Sequence, residues 1–121
     1  MMKKQNDFIS FNDGIVGIYN VQNVAEMGDA IKEQLVLYNN YRYNAKTVGM
    51  QRYFLAMQNN VNITAVIRIP TLDKAISTQN IAVINDVQYT IQQVQIIKAD
   101  KPYHLQLTLS ELEEKYDFKR V

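Results

Sequence analysis

The stretch Ile81-Ala82-Val83-Ile84-Asn85-Asp86-Val87-Gln88-Tyr89-Thr90-Ile91-Gln92-Gln93-Val94-Gln95-Ile96-Ile97 reads as two β-rich runs around a two-residue turn. Asn85 and Asp86 both tolerate positive φ, which a tight hairpin turn requires. The second run slips phase. Val87, Tyr89 and Ile91 share one parity, whereas Val94 and Ile96 have the other. One extra residue near Gln92-Gln93 reconciles them and predicts a β-bulge, a device that bends long strands around small barrels.

Downstream, Asp100-Lys101-Pro102 reads as a turn. Leu105, Leu107 and Leu109 then alternate with His104, Gln106 and Thr108 in a last strand. The leucines are expected inside, and His104, of opposite parity, towards solvent or a neighbouring subunit. Ser110-Glu111-Leu112-Glu113 fits either a weak capping box or an extended end. The tail after Tyr116 is expected to be short and mobile. Upstream, Val61 to Ile69 is apolar at every odd position and polar at every even one except Val66. That is a strand with one wet face, ended by Pro70, which cannot donate to a ladder. Thr71 to Asn80 is a polar connection. The predicted core is Val61, Ile63, Ile67, Ile69, Val83, Tyr89, Ile91, Leu105, Leu107 and Leu109.

Between residues 46 and 59 the period changes. Met50, Tyr53, Phe54 and Met57 fall at i, i+3, i+4 and i+7, one face of a helix of about three turns, read as a packing face rather than a cofactor site. Thr47 is its candidate N-cap. Leu35 to Tyr43 alternates as a strand, with Leu35, Leu37, Tyr41 and Tyr43 on one face, Asn39 being the exception there, and Val36, Tyr38, Asn40 and Arg42 on the other. Ile15 to Val21 reads as the first strand, with Gly17 marking a bend or bulge. Residues 22–33 do not alternate and are expected to form a long connection, packed on the barrel wall or offered to a partner.

The expected fold is therefore all-β with one short helix. It is a small antiparallel β-barrel of about six strands, the helix inserted between strands 2 and 3. Residues 1–14 form a flexible N-terminal arm, 15–113 the barrel domain and 114–121 a C-terminal tail.

Composition narrows the function. The 121 residues include no cysteine, which excludes a disulfide scaffold, a thiolate metal site and a cysteine nucleophile. Thirteen basic against 12 acidic side chains, with a net charge of +1, argue against a strongly basic nucleic-acid binder. There is one histidine, so neither a triad nor a histidine metal pair is in view, and the four glycines form no phosphate-binding pattern. The expectation is no enzyme, no cofactor and no metal. No apolar run reaches the ~20 residues of a membrane span, and the first residues lack the apolar stretch of a signal peptide. The 12 Asn and 11 Gln supply hydrogen-bonding groups without net charge, which suits surfaces that meet other protein.

Four features in order resemble one family. They are the helical segment Gly49 to Gln58, the alternating Val61 to Pro70 strand, the hairpin Ile81 to Val94 with its Tyr89-x-Ile91-x-x-Val94 run, and the leucine-rich last strand. Together, over residues 14–113, they resemble the head–tail joining proteins of long-tailed bacteriophages, a group that includes head-completion (stopper) and adaptor proteins. The family's hairpin turn often contains Gly, where this chain has Asn85-Asp86.

The resemblance implies a structural virion protein, assembled in the host cytoplasm. It would form a ring that closes the DNA-filled head below the portal and offers a docking surface to the tail. The implied partners are a portal or adaptor protein, a tail-completion protein, other copies of the chain, and the packaged DNA held at or passing through the channel. The alternative from the residues is a single-stranded nucleic-acid-binding barrel, with Tyr38, Tyr41 and Tyr43 beside Arg42 as a stacking platform. Apolar residues left over by the predicted core are candidate partner contacts: Phe8, Phe11, Val24, Met27, Ile31 and Phe118. They are few and scattered along segments expected to be flexible, so the isolated chain is expected to be a monomer or weak oligomer.

Overall fold

The computed structural model describes residues 9–28, 30–46 and 65–119. They form seven strands: β1 (Gly14–Asn23), β2 (Glu33–Lys46), β3 (Ala65–Ile69), β4 (Ile81–Ile84), β5 (Val87–Ile97), β6 (His104–Glu111) and β7 (Asp117–Phe118). The expected helix over 46–59 and the first part of the Val61 strand, with Val61 and Ile63, lie outside the described residues. Lys46 itself ends β2. No helix occurs among the described residues.

The strands follow the order β1-β4-β5-β6-β3-β2, and β1 pairs back with β2, so six strands close into a ring. Every pairing within the ring is antiparallel. Closure rests on β2, which is long enough to serve two neighbours. Its residues 33–43 pair with β1, and Asn44, Ala45 and Lys46 pair with Arg68, Ile67 and Val66 of β3.

Two bulges let the long strands bend. In β5–β6, Ile91 faces Leu109 and Gln93 faces Thr108, leaving Gln92 as the extra residue. Ile91 and Val94 therefore both meet the leucine face of β6, as the phase slip predicts. In β1–β2, Ile18 faces Asn39 and Tyr19 faces Leu37, leaving Tyr38 over. This second bulge corrects the reading of β2 as one alternating strand. Directly opposed residues share a face. Tyr41 and Tyr43, opposite Val16 and Gly14, thus turn inward and pack on the core, whereas Leu35 and Leu37, opposite Val21 and Tyr19, turn outward. Gly17 is not itself the bulge. A Cβ there would come within 2.8 Å of the Tyr19 ring and 3.1 Å of Asn40 Oδ1, so the close approach of that ring is what favours glycine.

The core combines Val16, Ile18, Ile67, Ile69, Ile76, Ala82, Ile91, Leu105, Leu107 and Leu109. Tyr89 packs against it half-buried. Val83 is a correction. The turn residues Asn85 and Asp86 have φ of 51° and 68°, and the two-residue loop pairs Ala82 with Tyr89 and Val83 with Gln88. With Tyr89 inward, Ala82 must be inward and Val83 outward, where it lies opposite Gly17. Ile76 is the residue the polar connection concealed. Thr71, Asp73, Ser77 and Asn80 fold residues 71–80 through side-chain turns onto their own backbone N–H groups, which drops Ile76 into the core.

The wet face expected on the Val61 strand, and the place expected for His104 towards solvent or a neighbouring subunit, are also corrected. Val66, His104, Gln106 and Thr108 are all buried. The outer face of β6 is roofed: Phe11 sets its ring edge against His104 at 6.2 Å, and Lys46 Nζ reaches Gln106 Oε1 at 3.1 Å. Alternation reports which residues share a face, but not whether another segment covers that face. Trimming Ile67 to Ala, which opens a cavity between β3 and β6, should lower unfolding free energy by about 2–5 kcal/mol in denaturant titrations.

Candidate partner-contact surface

The β1–β2 hairpin runs past the ring. Beyond Tyr19, the last β1 residue paired with β4, Asn20–Asn23 pair only with residues 33–36 of β2. The strands are longer than the sequence suggests, so the connection shortens to residues 24–32. Its neck is tied by Asn23, whose Oδ1 accepts the N–H groups of Ala25 (3.0 Å) and Lys32 (3.1 Å). The Val24 N–H donates to the Lys32 carbonyl at 2.8 Å. A closed neck holds the loop tip away from the wall. Met27 is accordingly 101% exposed and Ile31 78% exposed. Of the two readings of this connection, the packed loop is not what forms.

The other candidate contacts are dispersed. Phe8 lies outside the described residues. Val24 is half-buried at the loop neck, and Phe11 is half-buried against His104. Phe118 is in β7, not in a free tail. Its segment pairs in parallel with Gln34 and Leu35, and its ring meets Tyr19 edge-on at 5.2 Å. Gln88 makes this possible. Its buried side-chain amide donates to the Tyr116 carbonyl at 2.8 Å and accepts the Tyr116 N–H at 2.9 Å, imitating a strand pairing. The turned-back segment buries Leu35 on the outer face. The structure therefore brings Met27 and Ile31 together on one loop, places Phe118 lower on the same hairpin, and keeps Phe11 apart.

Sequence reasoning misses Leu37, which is exposed on the hairpin's outer side, and Leu72 on the connection after β3; Tyr38, named there only for a stacking platform, is exposed as well. The Tyr38 bulge hides this, because without it Leu37 reads as an inward residue. The Tyr38 hydroxyl donates to the Asp73 carboxylate, tying the bulge to the 71–80 connection. That hydrogen bond, followed by desolvation and the negative charge of Asp73, holds the phenol above its ordinary ionisation range. The same bond, with the Ala75 N–H, holds the Asp73 carboxyl below its own.

The tyrosines do not make one platform. Tyr41 and Tyr43 face the core and Tyr38 is engaged by Asp73, so Arg42 has no three-ring stack beside it. Among the described residues, no group of three or more His, Asp or Glu could hold a metal ion, and no helix is long and apolar enough to cross a membrane.

Neither a family model nor a curated protein matches the chain.

Replacing Gln88 with Ala removes both bonds to Tyr116. It should cost about 1–3 kcal/mol and raise hydrogen exchange selectively at residues 116–119 and at Leu35. Replacing Asp73 with Asn should bring the Tyr38 phenol down towards the ordinary tyrosine range in a ¹³C NMR titration. The tie stands at neutral pH, fails as pH rises through the elevated phenol ionisation, and fails again as pH falls through the depressed Asp73 ionisation.

Proposed function

We propose that this chain is a structural virion protein of the head–tail joining type, its ring of strands read as a small antiparallel β-barrel. Copies would assemble into a ring below the portal, close the DNA-filled head and present a surface to the tail. The observation that carries the reading is the hairpin loop with Met27 and Ile31 held clear of the ring. Burying a large aliphatic side chain is worth roughly 1.5–3 kcal/mol, and the isolated chain forgoes that gain twice on one short loop. A portal, adaptor or tail-completion subunit with an apolar seat would recover it. No enzyme activity enters this reading.

Near-neutral charge supports the same role. A channel component has to let DNA pass, and grip on the phosphate backbone scales with the number of Lys and Arg contacts. The single-stranded nucleic-acid reading is the weaker of the two, because Tyr41 and Tyr43 are taken up by the core. The exposed tip is also too small for a permanent interface, which is usually larger and more apolar. Ring formation therefore depends on a templating partner.

Purified chain at micromolar concentration should scatter light as a monomer or weak oligomer; a stable ring under those conditions contradicts the proposal. Met27→Ser with Ile31→Ser should leave the denaturation midpoint unchanged and abolish attachment to the head, read by sedimentation of heads with bound chain. Attachment at the wild-type level would remove the loop from the account. Salt-dependent binding to single-stranded DNA would favour the alternative.

A further inference from the structure

Beyond Tyr19, β1 has β2 on one side and no paired strand on the other. Two bonds fix which backbone groups face the empty side. The Tyr19 carbonyl, on the β4 side, accepts the Asn80 side-chain N–H at 3.0 Å; the Val24 N–H, on the β2 side, donates to the Lys32 carbonyl at 2.8 Å. Backbone groups alternate sides along an antiparallel strand. Asn20 and Gln22 therefore bond to β2, whereas the N–H and C=O of Val21 and of Asn23 point away from it. Among the described residues, none of these outward groups has a hydrogen-bond partner. Gln22 and Asn23 are exposed and Val21 is half-buried.

Open strand edges are usually blunted by a charge, a proline or a bulge, because they pair with any extended chain. The comparable stretches of β2 and β5 are blunted. On β2, β7 covers Leu35, the Asn39 side chain takes the Asn40 N–H at 2.8 Å, and Arg42 brings a charge. On β5, past its pairing with β4, the Gln92 bulge breaks the line. Asn20-Val21-Gln22-Asn23 has no charge, proline or bulge. Its asparagine side chains are drawn off the edge, Asn20 Oδ1 to Asn80 at 2.7 Å and Asn23 Oδ1 to the loop neck.

We propose that the β1 edge at Val21 and Asn23 is a strand-addition site for an extended segment of a partner protein. It rests on the hairpin being the partner contact inferred above, and it names the kind of contact: backbone pairing along the edge, continued by burial of Met27 and Ile31 at the tip. Side chains of the hairpin set the sequence it takes. Tyr19 and Val21 share the outer face with Leu37 and Leu35, with Phe118 against Tyr19, whereas Asn20 and Gln22 share the other face with Val36 and Gln34. A strand added beside β1 thus lays alternate residues on an apolar strip and the rest on a mainly amide one, which selects alternating apolar and polar residues. The other edge of the same hairpin shows the mode within the chain: β7 adds to β2 as a two-residue strand and sets Phe118 on Tyr19. A second folded copy is the poorer occupant. Two copies meeting through Val21 and Asn23 alone would cover far less than the roughly 1,000 Å² of a stable interface, while an extended segment can follow the hairpin to its tip.

The full chain is tested free and against a displayed library of random short peptides. In the free chain, amide exchange should be fast at Val21 and Asn23 and slower at Gln22 and Val24. Selected peptides should carry apolar residues at alternate positions and should slow exchange at Val21 and Asn23. Val21→Pro removes an outward N–H and no bond to β2. It should weaken those peptides about tenfold, as expected when one hydrogen bond is lost and its acceptor stays unpaired, and it should weaken attachment of the chain to heads. The proposal is overturned if no peptide is recovered, if the peptides leave the Val21 and Asn23 amides at their free rates, or if they bind Val21→Pro as tightly as wild type. Protection of both amides in a self-associated chain without peptide overturns it in favour of a second copy. Should Val21→Pro not fold, amide protection in the wild-type chain decides. Full attachment to heads by Val21→Pro, with attachment lost in Met27→Ser with Ile31→Ser, contradicts the edge and leaves the head–tail reading. Peptides held at this edge by a chain that never attaches to heads support the edge and contradict that reading.

Discussion

A sheet of six short-chain strands can close only if its long strands bend, and here the bending is done by two extra residues, Gln92 and Tyr38. Each sits where a strand must change direction while keeping its apolar residues on the inner face. Without the first, Val94 would turn away from Leu107; without the second, Tyr41 and Tyr43 would turn away from the core. Closure through β1–β2 depends on both, and it leaves no long, flat edge in the ring itself. It also leaves the surplus length of β1 and β2 outside the ring, as the hairpin that carries the exposed loop.

The two bulges differ in how visible they are in the sequence. Around Gln92 the flanking residues are β-branched or aromatic on one side and aliphatic on the other, so the change of parity shows. Around Tyr38 every position from Leu35 to Tyr43 is either large or amide-bearing, and an uninterrupted alternation fits as well as a broken one. The Val83 correction has another origin. A two-residue turn fixes which residues face each other across a hairpin, so Val83 and Tyr89 cannot both be inside, and the turn chemistry alone carries that information.

Coverage by distant segments was beyond any periodicity. His104, Gln106 and Thr108 alternate with leucines, and His104 reads as facing solvent or a neighbouring subunit, yet all three are buried, with Phe11 over His104. Leu35 is buried because Gln88 and Tyr116 turn the chain end back onto β2. Ile76 enters the core from a stretch whose polar residues are consumed in their own turns. For β6 and Leu35 the decisive contact joins residues far apart in the chain; for Ile76 it is a set of local side-chain turns, and apolar periodicity encodes none of them. The exposed loop is the converse. Met27 and Ile31 could be singled out as leftover apolar residues, but their isolation from the wall follows from the neck that Asn23 ties.

The reading as a head–tail joining protein is most directly tested by electron cryomicroscopy of tailed particles assembled with and without this chain. The account predicts that particles containing it show a ring between portal and tail into which the six-stranded fold fits with the Met27 loop seated on a neighbouring protein, and that heads made without it lose their DNA or lack tails. Intact, DNA-filled, tailed particles assembled in its absence would contradict the account.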